Sequence, residues 1–155
     1  MVPLLTAAGL GSAAVTIAAL FGPAQVLIRF VNMTAGSGRH PLTVTLISAA
    51  MLPLAAATLA AFAPSLAGGF AFAMMFGFGS GLNSIVKGTL PLALFGREAY
   101  GETLGRISSA QFVATAVAPF AVALVVERYG ASAALLVLAI IGVLGFCAFL
   151  ALRRL

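Results

Sequence analysis

Tryptophan is absent from this sequence, cysteine and histidine occur once each, and only three residues are acidic. Each shortage closes off a class of chemistry. The lone Cys147 sits inside an apolar run, so there is no disulfide framework. Cys147 and His40 are far apart, which leaves no metal-ligand spacing. Ser80 lies among glycines but does not fit a Gly-x-Ser-x-Gly elbow, and His40 stands in a loop, so nucleophilic catalysis finds no support. Glu98, Glu102 and Glu127 fall in a loop or at the end of an apolar run. A proton relay in lipid would need a buried Asp, Glu or His, so its carrier must lie elsewhere. Charged residues make up 7% of the chain, against about 25% in a soluble domain. So few charges cannot build a water-facing surface. Without tryptophan, an aromatic belt at the membrane interface falls to Tyr100, Tyr129 and the phenylalanines.

The sequence is instead rich in apolar runs. It is 63% hydrophobic, with a mean hydropathy of +1.19. These values predict an all-α fold, a polytopic transmembrane helix bundle whose main partner is the lipid bilayer. About five runs of roughly 20 residues match a hydrocarbon core about 30 Å thick at about 1.5 Å per residue. They cover residues 12–31, 41–62, 66–87, 105–127 and 133–152, and together they form a single domain over 1–155. Residues 2–11 are apolar but too short to span, and read as the tail of an earlier run. Pro23, Pro53 and Pro119 stand inside runs and predict kinks.

The run from Gly68 to Gly96 organises the rest. Each interior glycine costs a water-exposed helix about 1 kcal/mol against alanine. In lipid the cost of leaving backbone groups unpaired is greater, so the helix holds and its glycines become contact surfaces. Gly77 and Gly81 share a face and predict close approach of a neighbouring helix. The alternation of Gly77, Gly79 and Gly81 is not a dinucleotide fingerprint, since no strand precedes it, and no cofactor is expected. Lys87, Gly88, Pro91 and Gly96 predict an exit from the bilayer, a helix-breaking shoulder and a charged turn.

Basic residues are spread one or two per loop, so the net charge of +5 marks topology rather than nucleic-acid binding. Arg29, Arg39, Arg97, Arg106, Arg153 and Arg154 fall on one side, and Arg128 alone, beside Glu127, on the other. The positive-inside bias predicts a multi-pass protein of the cell membrane with a cytoplasmic C-terminus. The loop 96–106 predicts a solvated segment, with Glu98–Glu102–Arg106 contacts where it is helical. Gly22-Pro23 and Ala118-Pro119, each followed by an apolar run ending in arginine, form a weak repeat in oppositely directed runs.

Few polar groups sit deep in the runs, and the candidates are Gln25, Ser80, Asn83, Ser84, Ser108, Ser109, Gln111 and Thr115. In a bilayer such groups turn toward the bundle interior. Ser108, Gln111 and Thr115 share one face. That stripe either lines a cavity or hydrogen-bonds a neighbouring helix. With Asn83, it is the candidate substrate-binding set. Lys87, one turn beyond Asn83, either meets an anionic solute or snorkels to the headgroups.

In order along the chain come GPAQVLIRF, a Gly/Arg loop, two runs, KGTLPLALFG, and a YG…G loop before a proline-bearing run. This order resembles the C-terminal half of a major facilitator superfamily transporter, and the resemblance covers nearly the whole chain. VPLLTAAGLG is similar to the end of that family's seventh helix, and the five runs to helices eight to twelve. Arg29 and Gly38-Arg39-His40 resemble the cytoplasmic Gly-Arg signature between helices eight and nine, although Ile28 stands where glycine is common and the acidic residue is lacking. The resemblance implies a small-molecule substrate moved by alternating access between two halves. It also implies that the N-terminal half, or a second copy, is a missing partner. A small, non-transporting membrane subunit or scaffold is the other reading. Intramembrane enzymes are disfavoured by the missing residues.

Overall fold

The structure, a computed structural model, describes residues 1–36, 38–98 and 100–152. Arg153 and Arg154, expected to anchor the C-terminal end, lie outside the described residues, as do Ser37 and Ala99 of the predicted loops. Among the described residues the fold is all-helical, without strands. The elements are α1 (Val2–Leu5), a π-type turn (Thr6–Leu10), α2 (Ala13–Ala19), α3 (Phe21–Ala35), α4 (Pro41–Phe62), α5 (Leu66–Phe95) and α6 (Tyr100–Leu152). Four stretches are long and apolar enough to cross a membrane: Ala13–Ala35, Pro41–Phe62, Leu66–Phe95 and Tyr100–Leu152. The architecture is thus compatible with a transmembrane protein.

The first stretch is broken where its proline dictates. Pro23 has no N–H to give to the carbonyl of Ala19, four residues back, and its ring crowds that carbonyl. The helix parts at Leu20, whose N–H turns to the Ile17 carbonyl at 3.2 Å. Beyond the break, α3 runs past the expected end at residue 31 to Ala35. The Thr34 hydroxyl donates back to the Phe30 carbonyl, and the Gly36 N–H closes the last turn on Asn32.

Helix α4 has the predicted limits. Pro41 starts it without needing a donor, and the His40 Nδ1 accepts from the Leu42 N–H at 3.2 Å. Helix α5 is longer than the predicted 66–87. Lys87, Gly88 and Pro91 remain helical, and the turn comes at Gly96, which has a φ of 71°. The expected helix-breaking shoulder is therefore absent. A proline inside a helix frees carbonyls one turn back, and a helix survives it when those carbonyls find other donors. The carbonyl that Pro91 leaves without its usual donor is that of Lys87. At the next position the Tyr100 hydroxyl donates to the Gly88 carbonyl at 3.2 Å and ties this end of α5 to the start of α6.

The predicted solvated loop 96–106 is likewise mostly helix, beginning again at Tyr100. Glu102 suits the first turn of a helix, and it meets Arg106 one turn on at 2.6 Å. Those side chains are 80% and 69% exposed, so the pair is worth about 0–1 kcal/mol and marks the helix rather than holding it.

The fourth and fifth predicted runs are joined in α6. Straight, its 53 residues would extend about 80 Å, far beyond any hydrocarbon core. The backbone leaves helical geometry at Gly130, with φ 83° and ψ 173°, a conformation that favours glycine. Residues 100–129 form one limb and 131–152 the other. Val125 and Val126 meet the core near Leu4, Leu59 and Leu135, whereas Phe149 meets Val44 and Val86, so the limbs run in opposite directions along the bundle.

Helix α5 is the centre. On one face it takes α3 in parallel: a Cβ built on Gly77 would lie 2.6 Å from the Ala24 Cβ, and one on Gly81 would collide with Ile28 and lie 2.8 Å from the Gln25 carbonyl oxygen. The predicted close approach at these two glycines is thus present. On the opposite side, a Cβ on Gly79 would lie 2.7 Å from the Met51 Cβ of α4. The second limb of α6 lies antiparallel to α4, with Gly142 receiving the ring of Pro53. Leu5, Ile17, Leu59 and Ala73 form the fully enclosed heart of the bundle. The first limb of α6 is barely covered, and Phe112 and Phe120 are 74% and 77% exposed.

These contacts carry a direct expectation. Gly77→Leu and Gly81→Leu should each lower the thermal unfolding midpoint of the detergent-solubilised chain, by a loss of about 1–3 kcal/mol or more from overpacking. Gly105→Leu, where a side chain meets open space, should not. Equal midpoints for all three would contradict the described packing.

Candidate functional site: a cavity between α4, α5 and the second limb of α6

Three helix faces line a partly open cavity of about 330 Å³. Helix α4 contributes Thr45, Ser48, Ala49 and Leu52, and α5 contributes Phe76, Gly79, Ser80 and Asn83. Both sets follow i, i+3, i+4, i+7, the spacing of one helical stripe. The second limb of α6 adds Ile141, Gly142, Gly145 and Phe149. Gly79 and Gly145 contribute no side chain, and the room is left between Phe76 at one end and Phe149 at the other.

The polar groups of the lining are individually committed. The Ser48 hydroxyl donates to the Gly79 carbonyl at 2.8 Å and so ties α4 to α5 inside the bundle. The Thr45 hydroxyl donates to the Pro41 carbonyl at 2.9 Å, within its own helix. Both therefore turn only oxygen lone pairs to a guest. Behind the cavity wall, the Gln25 Nε2 of α3 donates to the Ser80 Oγ at 2.8 Å. Ser80 thus has its oxygen engaged, and among the described residues its own proton meets no acceptor. Asn83 is exposed and keeps a carboxamide with both donor and acceptor capacity. Among the described residues, no carboxylate, imidazole, thiol, amine or guanidinium lines the space. Among the described residues there is no group of three or more His, Cys, Asp or Glu that could hold a metal ion. The arrangement can hold a molecule by apolar contact and orient it with a few hydrogen bonds.

Of the candidate substrate-binding residues, Asn83 lines this cavity. Ser108, Gln111 and Thr115 do not. They share a face of the first limb of α6, with Ser108 and Gln111 half-buried and Thr115 exposed. The structure does not bring them to Asn83, and they make no hydrogen bond to another helix among the described residues. Ser84 and Ser109 spend their hydroxyls on their own helices, on the carbonyls of Gly81 and Gly105. Lys87 is exposed one turn beyond Asn83 and does not line the cavity. Thr45 and Ser48 escaped the sequence reading. Their signal was present, as hydroxyls three residues apart on one face of a run whose other polar residues are Thr43 and Thr58.

Comparison with family models, with curated proteins and with solved structures finds no match to this chain.

The hydrogen bonds of the wall are testable by themselves. Ser48→Ala should cost about 0.6 kcal/mol, up to about 1.7, the range for interhelical bonds in membrane proteins. Thr45→Ala, which removes only a bond within α4, should cost less in the same unfolding titration. A larger loss for Thr45→Ala would mean that Ser48 does not bridge α4 and α5.

Proposed function

We propose that this chain is one helical half of a facilitator-type secondary transporter, which moves a small solute across the cell membrane by alternating access with a second bundle. The observation that carries the reading is a solute-sized cavity walled by helices long and apolar enough to cross a bilayer, with its polar groups gathered on one side. The resemblance to the major facilitator superfamily, in the order of GPAQVLIRF, the Gly38-Arg39 loop and KGTLPLALFG, adds to it. In this reading the two limbs of α6 are separate crossings, giving five, and Gly130 turns at the outer surface beside Glu127 and Arg128. Arg29, Arg39, Arg97 and Arg106 then sit at the cytoplasmic end. The second bundle, a preceding half or another copy, covers the first limb of α6. Ser108, Gln111 and Thr115 face the water-filled space between the halves. What supports that role is the exposure of this limb along most of its length.

Two cysteine measurements test the proposal in a Cys147→Ala background in sealed vesicles. Arg39→Cys and Ser132→Cys should react with a membrane-impermeant maleimide from opposite sides, and reaction from the same side would refute five crossings. Thr115→Cys should react with the same reagent about tenfold faster than Phe120→Cys, since an apolar surrounding excludes the charged reagent. Equal, slow reaction of both would leave the stripe in lipid and sink its role in transport.

A further inference from the structure

The cavity also defines what it can hold. We propose that it binds an uncharged, largely apolar molecule carrying one hydroxyl or carboxamide group, and that it rejects anions and cations of the same size. This rests on the reading of the cavity as a ligand site, and adds the chemical class of the ligand.

The exclusion of charge follows from the lining. A charge pressed against a mostly apolar lining loses part of its hydration, a cost that stands unless an opposite charge or several hydrogen bonds meet it. Among the described residues, no ionisable side chain lines this space. The nearest along α5, Lys87, is exposed and lies one turn past Asn83, outside the lining. Its long stem lets the ammonium reach toward the headgroups rather than into the cavity.

The preference for a hydroxyl or amide follows from which protons are already spent. The Thr45 and Ser48 hydroxyls have given theirs to carbonyls, so both present acceptors. The Gln25 amide donates to the Ser80 oxygen, and among the described residues the Ser80 hydroxyl meets no acceptor, so its proton is available to a guest. Asn83 offers both kinds of group. A guest that only donates leaves Ser80 unanswered, and one that only accepts leaves Thr45 and Ser48 unanswered. A neutral hydroxyl can accept from Ser80 and donate to Thr45 or Ser48, and a carboxamide, with two protons, can donate to both. Gln25 makes no contact with the guest and acts as a positioning residue through Ser80. Phe76 at one end and Phe149 at the other, with Leu52 and Ile141, give the apolar surface for the body of the molecule.

The test uses the full chain in lipid vesicles with three diazirine probes of equal carbon number: an alcohol, a carboxylate and a primary ammonium, at a pH where the last two are charged. Each is photolysed with and without excess of its non-photoreactive counterpart, and adducts are mapped by mass spectrometry. Peptides holding Phe76 and Phe149 report the cavity, and those holding Phe112 and Phe120 report general lipid-phase labelling. The expected result is labelling of the cavity peptides by the alcohol that excess competitor abolishes, at least about tenfold above either charged probe. Competable labelling by a charged probe equal to that by the alcohol would overturn the selectivity while leaving the cavity a ligand site. Absence of competable labelling by all three would overturn the ligand site itself. The double variant Ser80→Ala/Asn83→Ala should lose about tenfold of the competable alcohol signal, the equivalent of one to two hydrogen bonds, with Phe112 and Phe120 labelling unchanged as a check on folding. Undiminished labelling in that variant would overturn the assigned hydrogen bonding. Gln25→Leu should weaken the alcohol signal in the single variant and have no further effect once Ser80 is alanine. An equal effect in both backgrounds would show that Gln25 does not act through Ser80.

Discussion

Close backbone approach on two sides of α5 is the constraint on which the rest of the fold depends. Where lipid replaces water there is no hydrophobic gain from pressing one apolar helix against another, and association rests on dispersion contacts and interhelical hydrogen bonds. Dispersion falls steeply with separation, so helices must come near, and near approach requires positions without side chains. Gly77 and Gly81 give that to α3, and Gly79 gives it to α4. The Ser48 to Gly79 hydrogen bond sits at the second of these contacts, where the backbones are close enough for a serine to reach across. The cavity inherits its shape from the same arrangement. Ser80 lies between Gly79 and Gly81, held from one side by Gln25 and open on the other.

Much of the helical order was legible because its signals were local. The limits of α4 followed from Pro41 and from the Ala63-Pro64 turn, each of which acts on its immediate neighbours. The close approach at Gly77 and Gly81 followed from spacing, since a stripe of missing side chains in an apolar helix has few other uses. The extension of α5 past Lys87 was not legible. Pro91 reads as a breaker in sequence, whereas in the fold it is buried and its neighbour Leu90 packs with Val44, which lies far along the chain. The start of α6 at Tyr100 was hidden in the same way, because Glu102 and Arg106 suit a loop or a helix surface equally well. The union of the last two runs in one element turned on the single residue Gly130.

The site was less legible than the fold, for a related reason. Periodicity tells which residues share a face, but not what that face meets. Asn83 was reachable as a polar group on the central helix. Ser108, Gln111 and Thr115 do share a face, yet that face belongs to a limb that the described fold leaves largely uncovered. Thr45 and Ser48 went unread because hydroxyls in apolar runs commonly bond to their own backbone, as Thr58 and Thr89 do here. Only the position of α5 shows that Ser48 bonds across to another helix while Thr45 bonds within its own.

The limb over residues 100–129 has a mechanical meaning of its own. Gly96 and Gly130 bracket it with positive φ angles, and it is fastened to the bundle near its two ends, through Tyr100 at Gly88 and through Val125 and Val126 at the inner cluster. A rod tied at its extremities and free along its middle is a strut. Its two ends are placed by the bundle, and the flank along most of its midsection is exposed.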